Sequence, residues 1–202
     1  MPAVFLCCII VGESHCSISI LFTRKSEINM KRSNIVLIGM PGSGKSTVGV
    51  LLAKLLAMRF IDTDILIQNH CGRTLQDIVD NEGHMYLREV EEKVILDVKL
   101  NHHVIATGGS VPYSEEGMDH LRENGIVVFL ETDMATLRAR VHNYDSRGIA
   151  RRPDQSIEDL FVERAALYKK YAEITVDCRH CNQDEAAEEI AHRAVAFFSR
   201  EK

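Results

Sequence analysis

The residues Gly39-Met40-Pro41-Gly42-Ser43-Gly44-Lys45-Ser46, followed by Thr47, carry the spacing G-x-x-x-x-G-K-S. Glycines at that spacing let the backbone curl so that successive N–H groups point inward at phosphate oxygens, where a side chain would block the approach. Lys45 adds a mobile positive charge for the outer phosphates, and Ser46 offers a hydroxyl to Mg²⁺. The first turn of a following helix would present its unpaired N–H groups to the same anion. The chemistry implied is the binding of a nucleoside triphosphate with its Mg²⁺.

Other residues could complete such a site. Asp62-Thr63-Asp64 follows the short strand Arg59-Phe60-Ile61, and carboxylates at the end of a parallel strand face the ligand crevice of an open α/β sheet. Asp62 or Thr63 could equally cap a helix beginning at Ile65, and one residue could do both. Thr107-Gly108-Gly109-Ser110 ends another strand; the glycines are either an ordinary turn or a place where backbone N–H groups touch a ligand. Arg88 has Glu91 and Glu92 at i+3 and i+4, the pattern of a solvated helix-surface ion pair. Arg164 falls in register with a buried stripe and needs an anionic partner, either a structural carboxylate or a carboxylate substrate. The stretch 143–154 holds Arg147, Arg151 and Arg152 among Gly and Pro. It is a connector, or a lid whose forked guanidinium groups fold over phosphates and exclude water. Cys178 and Cys181 form a C-x-x-C with His180 inside it, but no second ligand pair accompanies them, and a zinc site is not expected. His102 and His103 lack metal spacing too and are expected to be solvated.

The elements that must position these residues alternate. Ile35 to Ile38 reads as a strand before the glycine loop, and Val48, Leu51, Leu52, Leu55 and Leu56 give the following helix one apolar face. Thr74 to Leu100 is a long helical pattern with Leu87, Val90, Val94, Ile95 and Val98 as its buried stripe. Val104-Ile105-Ala106 is a strand, Ser114 to Asn124 a helix, and Ile126 to Leu130 an unbroken apolar run suited to a central strand covered on both faces. Asp133 to Val141 and Ser156 to Ala172 are helices, the second burying Ile157, Leu160, Phe161 and Tyr168. Ile174-Thr175-Val176 is the last strand. Ala187, Ile190, Ala191, Ala194, Val195 and Phe198 form the inner face of a closing helix. Strand and helix in alternation predict a parallel sheet of about five strands, covered on both faces and connected right-handedly.

A chain of 202 residues suits one α/β domain. A net charge of −5 argues against nucleic acid as the main partner. Cys7, Cys8, Cys16, Cys71, Cys178 and Cys181 lack the spacing of a disulfide scaffold, so a reducing cytoplasm is the expected compartment. No apolar run approaches the roughly 20 residues that span a bilayer. Residues 1–30 are expected to be a poorly structured extension, or the product of an upstream start, with the ordered domain spanning 31–202. Met30-Lys31-Arg32 stands immediately before the first strand.

In order and spacing, GMPGSGKST, FIDTD, Arg88 with Glu91, TGGS, an arginine stretch ending RRP, and ERAALY with Arg164 resemble the shikimate kinase family within the P-loop nucleoside monophosphate kinase-like group. The resemblance covers residues 34 to about 198. It implies a three-layer αβα P-loop kinase fold with a mobile lid at about 143–155; a monomer is expected. It implies transfer of the γ-phosphoryl group of ATP, with Mg²⁺, to a hydroxyl of shikimate, a step of aromatic amino acid biosynthesis. On the family pattern, Gly39 to Thr47 with Arg147 and Arg152 bind ATP, and Ser46 and Asp62 hold Mg²⁺. Asp64, Arg88, Gly108, Gly109, Ser110 and Arg164 line the hydroxy-acid pocket, with both arginines on its carboxylate. Lys45, Asp64 and Arg152 are then the catalytic set, Asp64 orienting or deprotonating the attacking hydroxyl. For Arg88 this replaces the surface-pair expectation.

Three departures fall around the acceptor. Ser110 stands where the family has a third glycine, Asp154 and Gln155 where leucines follow Arg-Pro, and Gly83-His84 with Leu87 where it has Gly-Glu and Phe. One changed contact is worth about 1–3 kcal/mol of preference, which makes another hydroxy acid such as gluconate or homoserine the alternative acceptor. A GTP switch is disfavoured because N-K-x-D is absent and no D-x-x-G follows a strand. A catalytically silent nucleotide binder would not need Lys45, Ser46, Asp62 and Asp64 together.

Overall fold

The computed structural model describes residues 32–140 and 148–200. The expected N-terminal extension, Arg147 and the first part of the arginine stretch lie outside the described residues.

Five parallel strands form one sheet in the order β2-β3-β1-β4-β5: β1 Asn34–Ile38, β2 Arg59–Asp62, β3 His103–Ala106, β4 Gly125–Glu131 and β5 Ile174–Asp177. The helices are α1 Lys45–Leu55, α2 Thr63–Cys71, α3 Leu75–Asp97, α4 Glu115–Asn124, α5 Met134–Arg140, α6 Ile157–Tyr171 and α7 Gln183–Arg200, with a 3₁₀ turn at Val111–Tyr113. Every residue of β1 is buried, because both faces of a parallel sheet are covered. Ile35 and Leu37 join a core with α1 and α7 through Val48, Leu52, Ile190 and Ala194. Val36 and Ile38, pointing the other way, join Ile95, Met118, Leu121, Leu137 and Tyr168. The three-layer αβα arrangement follows from that alternation. β1 pairs with β3 on one side and β4 on the other, so the strand order reverses at β1, where such sheets open a crevice.

Several sequence expectations are corrected. Leu55 and Val195, assigned to inner helix faces, are exposed. The residues that pack into the core are Val48, Leu51 and Leu52 in α1 with Leu56 at its C-cap, and Ala187, Ile190, Ala191, Ala194 and Phe198 in α7. Gly83 interrupts α3 with φ 85° and ψ 169°, a left-handed φ that glycine adopts without a Cβ clash, so the long helical pattern is two helices joined at a bend. His103 is the first residue of β3 and is buried; its Nδ1 lies 2.8 Å from the Asn101 carbonyl. α2 begins at Thr63 rather than Ile65.

Candidate active site

The loop after β1 reaches α1 through Gly39, Gly42 and Gly44 at φ 149°, 87° and 100°. Gly44 is the N-cap of α1 and offers no side-chain cap, so the first N–H groups of the helix stay available to an anion. The Lys45 ammonium donates to the Gly39 and Met40 carbonyls at 2.8 and 2.9 Å. Burial lowers its pKa to about 8, against the opposing pull of Asp64 and Asp62. Ser46 Oγ donates to Asp62 Oδ2 at 2.6 Å. The other Asp62 oxygen accepts from the Asp64 N–H at 2.9 Å. Asp62 is therefore both the cap of α2 and the partner of the loop serine.

Asp64, in the first turn of α2, lines the same cavity as the loop. Burial raises the Asp64 carboxyl to about 6, and the neighbouring Asp62 adds to the shift. A Cβ built on Gly108 would lie 2.8 Å from Asp64 Oδ1 and 2.0 Å from Glu91 Oε1; one on Gly109 would lie 2.7 Å from Arg164 Nη1 and 2.8 Å from Pro41 Cδ. These two glycines serve close approach of side chains to the backbone. The Gly108 N–H is already given to Thr63 Oγ1 at 3.0 Å. The Gly109 carbonyl accepts from the Tyr168 hydroxyl at 2.7 Å. Ser110 donates its hydroxyl to Glu91, whose carboxyl burial raises to about 7.

Arg164 is 1% exposed. One of its nitrogens donates to the Ala150 carbonyl at 2.6 Å, and Nε has no partner. No carboxylate closes an ion pair with it among the described residues, so the expected anion is not supplied by that part of the chain. Lys45, Asp64, Glu91, Gly108, Ser110 and Arg164 line one cavity of about 770 Å³ together with the glycine loop, within the usual size of a small-ligand site.

A family model described as "Shikimate kinase" matches residues 41–195. The chain belongs to the shikimate kinase family. The shikimate kinase of Sulfurihydrogenibium is 36% identical over 159 residues, covering 78% of this chain and 95% of that one. That of Caldanaerobacter subterraneus is 33% identical over 170 residues, covering 83% and 99%. Among solved structures, the shikimate kinase of Acinetobacter baumannii in complex with shikimate superposes with a TM-score of 0.73 at 29% identity, covering 85% of this chain and 97% of that chain. The Aquifex aeolicus shikimate kinase gives 0.67 at 32% identity, covering 81% and 97%.

Within this shikimate kinase fold, Arg88, expected on the acceptor carboxylate, and Arg152, expected on the phosphates, do not line the main cavity. Arg88 lines a neighbouring cavity of about 280 Å³, whose wall it shares with Ser110, Glu91 and Tyr113. Its guanidinium carbon lies 3.6 Å from the Tyr113 ring centroid, not in a pair with Glu91 or Glu92. Burial lowers its pKa, and its Nε is buried without a partner. Arg152 is paired with Glu163 Oε2 at 3.3 Å. Met40 contributes its carbonyl and buries its side chain in the core. Three cavity or network residues escape sequence reasoning. Arg140 lines the main cavity and donates to the Ser43 and Cys178 carbonyls at 3.4 and 3.1 Å. Tyr113 and Glu163 meet across the fold. Arg140 reads as one more basic residue of a helix end. Glu163 sits one residue, about 100° of helix turn, from the Arg164 stripe.

Proposed function

We propose that the protein transfers the γ-phosphoryl group of ATP to a hydroxyl of shikimate, giving shikimate 3-phosphate and ADP. The observation that carries it is the gathering of Lys45, Asp64 and Arg164, which has no ion pair among the described residues, in one cavity with the glycine loop, in a member of this family. The loop N–H groups and Lys45 hold the β- and γ-phosphates. Asp64 accepts the proton of the acceptor hydroxyl as its oxygen bonds to the γ-phosphorus and the bond to the bridging oxygen of ADP breaks. Its raised pKa suits a group that takes a proton near neutrality. Arg164 and Arg88 neutralise the acceptor carboxylate, and Gly108, Gly109 and Ser110 form the wall beside it.

The Ser46 hydroxyl and the Asp62 carboxylate, 2.6 Å apart, fit Mg²⁺, which is commonly held by one carboxylate and substrate phosphates. Bound there, Mg²⁺ supplies charge neutralisation on the transferring group. Arg152 is the arginine assigned to the phosphates, which requires it to exchange Glu163 for phosphate oxygen. The enzyme is taken to be a cytoplasmic monomer. Its free thiols at Cys71, Cys178 and Cys181 support a reducing compartment.

The test is ADP formation by purified protein with Mg²⁺ and ATP against shikimate, gluconate, homoserine and no acceptor, with Lys45→Ala as blank. Saturable turnover on shikimate, absent from the blank, is the expected result. Preference for gluconate or homoserine would move the acceptor assignment while leaving the phosphate site in place. No acceptor-dependent turnover would overturn the proposal.

A further inference from the structure

Tyr113, which none of the motifs includes, has three relationships that bear on the acceptor pocket. It closes the 3₁₀ turn that follows Gly108-Gly109-Ser110. Its ring lies beneath two guanidinium groups, with the Arg88 carbon 3.6 Å and the Arg164 carbon 5.6 Å from the centroid. Its hydroxyl donates to Glu163 Oε1 at 2.5 Å. A cation over an aromatic face is attracted to the electron-rich ring. The ring is thus a shared platform on which arginines from α3 and α6 converge. Burial and the bond to Glu163 raise the phenol pKa, so the hydroxyl stays protonated and keeps donating.

Arg88 depends on this platform more than Arg164 does. Both have a buried, unpartnered Nε, but Arg164 is anchored at the Ala150 carbonyl, whereas Arg88 closes no salt bridge among the described residues and rests its guanidinium on the ring. The phenol is anchored in turn. The second Glu163 oxygen accepts from Gln155 Nε2 at 2.6 Å and from Arg152 at 3.3 Å, so Glu163 is held from both sides, and the bonds from Tyr113 and Gln155 remain when Arg152 turns to phosphate.

We propose that Tyr113 is a positioning residue of the acceptor clamp: its ring, pinned through Glu163, sets where the Arg88 guanidinium stands relative to Arg164. The proposal rests on the reading that these two arginines take the acceptor carboxylate. Tyr113 acts through Arg88 and need not touch the acceptor itself.

Calorimetric titration of shikimate into wild type, Tyr113→Phe, Tyr113→Leu, Arg88→Ala and the Arg88→Ala/Tyr113→Leu double variant tests it, alongside KM for ATP and thermal unfolding. Tyr113→Leu is expected to weaken shikimate about tenfold, the loss of one desolvated cation–ring contact. KM for ATP should stay within about twofold. Tyr113→Phe, which keeps the ring, should recover most of the loss. In the Arg88→Ala background, removing the ring should cost nothing further, which a purely structural role would not produce. An undiminished effect in that background would overturn the proposal, as would unchanged shikimate affinity in Tyr113→Leu. Wild-type protein that turns over another acceptor but does not bind shikimate would instead overturn the underlying acceptor assignment, and this proposal with it.

Discussion

The hydroxyl of Ser110 donates to the buried carboxyl of Glu91 on α3, so the one side chain added to the glycine wall is engaged with the protein. Glu91 is 4% exposed and its pKa is raised from 4.5 to about 7, chiefly by burial. A carboxyl with a raised folded pKa contributes stability that is present below its unfolded pKa and lost as pH rises through the folded one. Between pH 4.5 and 7.5, Glu91→Gln should therefore gain on wild type by on the order of 3 kcal/mol. Parallel stability curves for the two proteins in urea unfolding across that window would refute it.

Asp64 titrates in the working range for a different purpose. With its pKa near 6, kcat/KM for shikimate should rise with pH through about 6 as the carboxylate forms. Asp64→Asn should lower kcat about 10²–10⁴-fold and abolish that acidic limb. A limb that persists in the variant would belong to another group.

Gly108 has no room for a side chain, because its Cβ would fall 2.0 Å from Glu91 Oε1 and 2.8 Å from Asp64 Oδ1. Gly108→Ala should displace both carboxylates and cost about 10²-fold in kcat/KM, the scale of a misplaced catalytic group. Gly108 lies outside the glycine loop to which the nucleotide phosphates are assigned, so Kd for ADP should change little. Calorimetry with ADP separates a local displacement from a collapsed fold.

Ser46→Ala removes the hydroxyl that Asp62 accepts but leaves Asp62 bonded to the Asp64 N–H. The Mg²⁺ concentration for half-maximal turnover should rise about tenfold or more, with the shikimate KM nearly unchanged. Chelation by EDTA should stop wild-type turnover, and added Mg²⁺ restore it.

Much of the fold was legible because it is written in local periodicity. The unbroken apolar runs in β1 and β4 are central strands, and Leu160, Arg164 and Tyr168 at i, i+4 and i+8 all face inward. Where several apolar residues competed for one helix face, periodicity could not choose. Leu55 lost to Leu56 because the sheet beneath α1 continues the Val48–Leu52 line.

Alone, the sequence determined the phosphate loop and the elements around it, since glycines that curl the backbone and the adjoining Lys45 and Ser46 act at short range. It also determined that Arg164 turns inward, because helical register is a local property. Tertiary structure decided the rest. Packing of α3 against the turn after β3 buried Glu91 under Ser110. Crossing of α6 over that turn brought Glu163 within 2.5 Å of a phenol 50 residues earlier. Arg88 was a surface arginine by its neighbours in sequence, and its place over Tyr113 exists only once two elements distant in the chain have packed. Burial, which raises Asp64 and Glu91 and lowers Lys45, is a property of the assembled crevice, because desolvation depends on all the atoms that exclude water and not on neighbours in the chain.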